Sequence, residues 1–213
     1  TLGSYNNTVT RTFANGTNNI ASASASATGF TNDEDLVCSV VTTLPVTTPS
    51  SPASDGVLFE CGGNSVGAFV GIRDSGTYLR VRAGTSTGSY SGGTTTVNEN
   101  GLALLDVAIS SLSSYFDGGQ HEITWEFRVG GTASTGSGRV KLWIDGNPIG
   151  EAQTNGLQTG LAEGSGLWSG GSPGGFATVS SDNSICSGEP TAAWAYATGD
   201  LQYYRSRLVD PDY

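Results

Sequence analysis

HEITWEFR (residues 121–128) and RVKLWID (residues 139–145) decide the fold. In the first, Ile123, Trp125 and Phe127 fall on one side of an extended chain. Glu122, Thr124, Glu126 and Arg128 fall on the other. In the second, Val140, Leu142 and Ile144 alternate with Arg139, Lys141, Trp143 and Asp145. Side chains on a strand point to opposite faces in turn, so each segment predicts a strand with one buried and one wet face. The link VGGTASTGSG (129–138) supplies a glycine-rich hairpin loop. This register puts Trp125 in the core and Trp143 on the wet face. Asp145-Gly146 is a turn into a further strand around Ile149.

Upstream, GVLFECG (56–62), GAFVGIR (67–73) and TYLRVRA (77–83) are short runs rich in β-branched and aromatic residues. Asp74-Ser75-Gly76 predicts a tight hairpin between the last two. LVCSVVTTL (36–44) predicts a buried strand, and PVTTPSSPASDG after it a loop, because proline removes a ladder donor. GLALLDVAI (101–109) has a helix-compatible composition but is assigned to a strand in this context. Residues 1–35 are polar and turn-rich; ASASASAT (21–28) predicts an edge strand anchored by Phe13, Ile20 and Phe30. Residues 84–100 form a long polar loop, and 155–190 carry no clear period. AAWAYATGDLQYYRSRLV closes the chain as strand. Short strands separated by turns throughout, with no internal repeat, predict one all-β domain over residues 1–213, a two-sheet antiparallel β-sandwich.

Composition agrees. Glycine (32), serine (27) and threonine (25) displace the Ala, Leu, Glu and Lys that a helical bundle requires. The net charge is −10, and Lys141 is the one lysine among nine basic residues. No basic footprint exists to displace the counterions of a nucleic acid, and none to hold an anionic membrane. No apolar run reaches the roughly 18 residues needed to cross a bilayer. The sequence has no Met and starts at Thr1, which reads as a processed chain or a fragment. The acidic, lysine-poor, Ser/Thr/Gly-rich composition is associated with extracellular or virion-surface proteins. Cys38, Cys61 and Cys186 are odd in number and lack CxxC spacing. Three buried thiols, or one bridge and a thiol, both fit. With His121 as the sole histidine, a Cys/His zinc site does not fit.

SDGVLFECGG, GAFVGIRDSGTYLRVRAG, YFDGGQHEITWEF and GRVKLWIDGNPIGEA together resemble the laminin-G and concanavalin-A-like lectin/glucanase domains over roughly residues 54–152. Those domains carry, in order, a dGvLf strand, an aliphatic strand, a gxLrvr strand, a DGxxHxvtw strand and a gxvxLyvDGxxv strand. Asp117-Gly118-Gly119-Gln120-His121 stands at the DGxxH position, with Gln120 where the family usually has Trp. GDLQYYRSRLVDPDY resembles the family's closing strand. The resemblance implies a concanavalin-A-like jelly roll. It does not choose among lectins, hydrolases, adhesion modules and virion proteins, because one fold carries many functions.

Hydrolases of this fold place two carboxylates around a glycosidic bond with a Glu-x-Asp-x-Glu strand motif. Here Glu122-Ile123-Thr124-Trp125-Glu126 has Thr124 in place of the central Asp, and the two Cα atoms would be about 13 Å apart. That argues against a glycoside hydrolase or polysaccharide lyase, the alternative reading. Neither a nucleophile elbow nor HExxH occurs. The resemblance also implies a Ca²⁺ site, for which Asp200 on the closing strand with Asn32, Asp33 or Asp35 are the candidates. For sugar binding, aromatic faces stack on rings and polar groups bond hydroxyls. Trp143, Tyr78, Arg80 and Arg82 on a wet sheet face, with Glu126 beside them and Tyr90, Tyr115 and Trp168 in loops, are the candidates. The expected function is a non-enzymatic adhesion or structural module, such as a virion decoration or fibre domain or a secreted adhesin. Its expected partners are surface glycans, a larger particle or neighbouring subunits in a homo-oligomer.

Overall fold

A computed structural model of the chain describes residues 9–17, 36–62, 66–85, 102–128, 139–153, 175–179 and 188–204. Within them run eleven strands: β1 (Val9–Phe13), β2 (Leu36–Thr43), β3 (Gly56–Gly62), β4 (Val66–Arg73), β5 (Tyr78–Thr85), β6 (Leu102–Ala108), β7 (Gln120–Arg128), β8 (Arg139–Ile144), β9 (Asn147–Gln153), β10 (Gly175–Phe176) and β11 (Leu201–Tyr204). They form two antiparallel sheets, one of order β1-β11-β2-β7-β8-β9 and the other of order β10-β3-β4-β5-β6. The fold is the all-β two-sheet sandwich expected.

The predicted hairpins are present. β4 and β5 pair from Val66↔Thr85 to Arg73↔Tyr78 around Asp74-Ser75-Gly76. All three turn residues take positive φ, at 57°, 56° and 75°. Asp55 holds this left-handed turn by accepting from the amides of Ser75 (3.0 Å) and Gly76 (2.8 Å). A Cβ on Gly76 would sit 2.1 Å from the Ala53 carbonyl oxygen, so no side chain fits there. The segment 101–109 is indeed a strand, β6, followed by a 3₁₀ turn over Ile109–Leu112. β1 lies in the N-terminal stretch read as turn-rich, while 21–28, Ile20 and Phe30 lie outside the described residues. The closing segment is strand over Leu201–Tyr204, which inserts between β1 and β2. The chain before it is irregular but tied down: Thr43 N donates to Ala197 O, Gly199 N to Val41 O, and the Trp194 indole to Thr42 Oγ1.

The core follows the alternation. Ile123, Trp125 and Phe127 of β7 and Val140, Leu142 and Ile144 of β8 are fully buried between the sheets. Phe59 of β3 meets Trp125 at 5.5 Å and Phe127 at 5.9 Å between ring centroids, joining the two sheets. Cys38 and Cys61 are buried in this core, and Cys186 lies outside the described residues. Burial pushes the Cys38 thiol up, so it stays neutral and packs as a small apolar group.

Trp125→Ala is expected to destabilise the fold by about 3–5 kcal/mol, the usual cost of emptying a large aromatic site. A urea titration checks it through the midpoint at unchanged slope.

Candidate functional site

The expected single wet face does not exist. Trp143 stands on β8 in the six-stranded sheet, whereas Tyr78, Arg80 and Arg82 stand on β5 in the five-stranded one. Each side chain points away from the core, as the alternation requires, but on separate outer faces. Nor are these faces wet. Trp143 is 4%, Arg80 0% and Arg82 2% exposed; Tyr78 is half-buried. Trp143 packs with Val37 and Tyr204, and the Lys141 ammonium sits 5.1 Å from its ring centroid. Alternation reports which face a residue is on; it does not report what lies over that face. Tyr90 and Trp168 lie outside the described residues.

On the outer face of the six-stranded sheet the two candidate acids are engaged internally. Glu122 accepts from Ser39 Oγ at 2.5 Å, and Thr124 Oγ1 donates to the same Ser39 at 3.2 Å. Glu126 is 1% exposed and takes a 2.9 Å bond from Arg139 Nη2, itself buried. Arg139 and Lys141 each also lie 3.8 Å from Glu151. Glu126 is thus closed in against an arginine, with almost none of its surface open to a substrate.

The outer face of the five-stranded sheet carries a second ionic group. Arg80 gives two bonds to Asp106, Nε to Oδ1 at 2.6 Å and Nη2 to Oδ2 at 2.5 Å. Its Nη1 bonds Glu189 Oε1 at 2.8 Å, and Arg82 Nη1 reaches the same oxygen at 2.9 Å. Burial works against the charge on Arg80, but the bonds and fields of Asp106 and Glu189 outweigh it and hold its pKa above the ordinary value. The sequence offered a signal for Asp106: an acid inside the apolar run LALLDVA must find a partner. Glu189 lay in the unparsed stretch and gave none.

His121 is the centre of a clamp between loops. Its Nδ1 meets Asp145 Oδ2 at 2.7 Å and its Nε2 meets Asp117 Oδ1 at 3.1 Å. Asp117 also accepts from Gly119 N at 2.7 Å, and Asp145 Oδ1 from Glu122 N at 2.9 Å. Tyr115 packs edge-on to the imidazole. The DGxxH turn is thereby fastened to the Asp145-Gly146 turn of the β8–β9 hairpin. Both imidazole nitrogens face carboxylates, which leaves neither facing a nucleophile.

The described surface also holds a cleft of about 480 Å³ at one end of the sandwich. It lies between the proline-rich loop after β2, the β4–β5 turn and the 3₁₀ turn after β6. Thr47, Thr48, Ser75, Thr77, Ser110 and Ser113 bring hydroxyls to it; Pro49, Pro52, Gly76 and Ile109 complete the lining. No charged side chain is among them. The Asp55-pinned turn and the Thr77 Oγ1 bond to Asp74 O (2.6 Å) make one wall rigid. The cleft has no signature in the sequence, because its three segments are distant in the chain and their residues are ordinary loop formers.

For the expected calcium ligands, Asp200 is exposed just before β11, and Asn32, Asp33 and Asp35 lie outside the described residues. Among the described residues, no three His, Cys, Asp or Glu side chains come together as a metal site. No helix among them is long and apolar enough to cross a membrane.

No family model matches the sequence, and no curated protein matches it. Solved structures do resemble it. One is domains LG4-5 of the mouse laminin alpha1 chain, at 12% identity and a TM-score of 0.49, covering 85% of this chain and 40% of that one. The binding domain of botulinum neurotoxin DC in complex with SialylT is similar at 14% identity and a TM-score of 0.47, over 84% of this chain and 34% of that one. The binding domain of Paraclostridial Mosquitocidal Protein 1 gives 14% and 0.48, over 84% and 35%. The chain thus spans little more than a third of the length of these structures. A laminin-G pair, the kind of domain the strand motifs resemble, is among them.

The clamp gives a pH dependence of stability. Burial of His121 lowers its pKa, but the bonds from Asp145 and Asp117 outweigh that and raise it above the ordinary value. A raised pKa in the folded state contributes stability that is full below the unfolded value of about 6.5 and is lost as pH rises through the folded one. Asp117, lowered first by its bond to His121, contributes above about 3.9 and loses that contribution as pH falls through its folded value. Melting of the wild type should therefore fall relative to His121→Gln as pH rises from 6 to 9. Parallel profiles would remove the clamp's role. Separately, Glu126→Ala should destabilise by about 3–5 kcal/mol, because it removes the carboxylate 2.9 Å from the buried Arg139. Denaturant titration beside Glu151→Ala, which alters an exposed acid, measures it.

Proposed function

We propose that this chain is a non-enzymatic binding module, one sandwich domain over residues 1–213, that engages neutral surface glycans through the cleft at the loop end. One observation carries the reading: six hydroxyl side chains converge on a cleft of about 480 Å³ among the described residues, with no charged group among its lining residues. Hydroxyls both donate and accept, which suits a ligand that is itself a set of hydroxyls, and the prolines offer apolar edges to C–H faces. The pinned turn means little ordering cost on binding.

The non-enzymatic part is supported by where the acids stand. Glu126 is locked to Arg139, Glu122 to Ser39, and Thr124 occupies the position where the hydrolases have Asp. A single shallow sugar site binds weakly, and display in many copies raises avidity by ~10²–10⁴ without new contacts. That favours a module carried on a cell or particle surface, such as a virion decoration or fibre protein or a secreted adhesin. The acidic, lysine-poor composition is in keeping with an extracellular setting and with neither nucleic acid nor membrane insertion. Trp143 is covered and so supplies no exposed patch for assembly into a homo-oligomer.

Ser110 is exposed on the cleft wall, so Ser110→Tyr should fill the cleft without disturbing the fold. On an array of neutral oligosaccharides, binding by the wild type and a loss of tenfold or more in this variant, at unchanged melting temperature, is the expected result. Binding unaffected by the substitution would move the site elsewhere. Polysaccharide cleavage that disappears in Glu122→Gln would overturn the non-enzymatic reading.

A further inference from the structure

We infer that Arg73, Arg80 and Arg82 form a carboxylate-binding site on the outer face of the five-stranded sheet, filled in this structure by the chain's own Glu189, which an outside carboxylate can replace. The site shares no residue with the cleft and stands independently of it.

Three guanidinium groups from adjacent strands β4 and β5 converge on one carboxylate. Nη1 of Arg80 and Nη1 of Arg82 lie 2.8 and 2.9 Å from Glu189 Oε1, and Nη1 of Arg73 lies 3.6 Å from Oε2. The Glu189 side chain is 1% exposed. Two of the arginines are fixed by other acids on their far sides. Asp106 grips Arg80 through Nε and Nη2, and Asp74 takes Nη2 of Arg73 at 2.7 Å. Arg80 and Arg73 are therefore held in place from outside when Glu189 departs, and Arg82 stands beside Arg80 on the same face of β5. Glu60 is also buried on this face, opposite Phe69 and in the row of Arg82. With Asp74, Asp106 and Glu60 present, the three arginines are formally balanced before Glu189 is counted. What defines the site is the geometry of converging donors and not a surplus of charge, so affinity for a lone carboxylate is modest.

The occupant is delivered by a strap. Residues 188–194 run from the arginines to the edge of β3, where Val57 N donates to Ala192 O (2.9 Å) and Trp194 N to Val57 O (3.0 Å). Among the described residues these two bonds are the strap's backbone ties. Gly56 permits the approach, since a Cβ there would lie 2.9 Å from Ala193 O. Gly188, Thr191, Ala192 and Ala193 are exposed, and Gly188 has φ +87° with open space around it. The anchor of the strap is thus at one end, and the ligand-like carboxylate is at the other. Because Glu189 is tethered, its effective concentration is in the millimolar range or above, and a lone outside carboxylate competes poorly until Glu189 is removed.

Chemical rescue tests this. Glu189→Ala empties the nest, and Glu189→Gln keeps it filled by an uncharged side chain of the same shape. Melting temperatures are read in sodium acetate and in sodium chloride of equal ionic strength. At ~0.1 M, acetate should raise the melting temperature of Glu189→Ala by roughly 3 °C more than chloride does. Acetate should have no such advantage for Glu189→Gln or the wild type. Equal effects of the two salts on Glu189→Ala, or the same acetate effect on Glu189→Gln, would overturn the proposal. Should Glu189→Ala fail to fold in chloride, the refolding yield in acetate against chloride reads the same site: a higher yield supports it, and equal yields overturn it.

Discussion

The contact of Phe59 with Trp125 and Phe127 is where the two sheets of this sandwich are joined, and most of the molecule is arranged around it. Phe59 lies on β3 and the other two on β7, strands that do not share a sheet. β7 has β2 on one side and β8 on the other, so the rings at its centre set the depth of the whole six-stranded sheet. Dispersion and hydrophobic burial grow with area, and these rings are among the largest fully buried side chains. A chain with few aliphatic residues and 32 glycines depends on such large side chains for its core.

Because the interior is filled this way, polar chemistry is displaced to the two outer faces, and there it is consumed by the fold. Each face carries buried ion pairs in which an arginine is held by carboxylates: Arg139 with Glu126 on one, Arg80 with Asp106 and Glu189 on the other. Buried pairs of this kind contribute little net stability compared with apolar packing, yet breaking one leaves a stranded charge. They act on register and on cover. Glu189 can reach its arginines only if the 188–194 strap lies over the sheet, and the strap lies there only if β3 admits it at Gly56 and Val57.

With both broad faces engaged, accessible concave surface is found at the loop end. The turns there are stiff for local reasons. The Asp74-Ser75-Gly76 turn is left-handed at every residue and is bonded by Asp55, and the DGxxH turn is bonded by His121 through Asp117 and Asp145. Loops positioned by a rigid scaffold are where functional residues most often sit. The His121 clamp adds a pH-sensitive fastening near the same set of loops, since its strength depends on a protonated imidazole between two carboxylates.

How much of this was legible in the sequence follows from the range of the forces involved. Strand alternation is local, so 121–128 and 139–145 declared themselves, with Trp125 inward and Trp143 outward as found. Turn chemistry is local as well, and Asp74-Ser75-Gly76 and Asp145-Gly146 appear where the residues place them. The short strand β1 escaped notice because its pairing comes from β11, some 190 residues away. The errors at the site have one cause: period two tells which face a side chain takes, and cannot tell that Arg80 and Trp143 belong to different sheets or that each face is covered. Sheet membership, the Glu189 strap and the three-segment cleft depend on contacts between residues far apart in the chain. Only the packed tertiary structure sets those contacts, because their free energy exists only after the loops between them have closed.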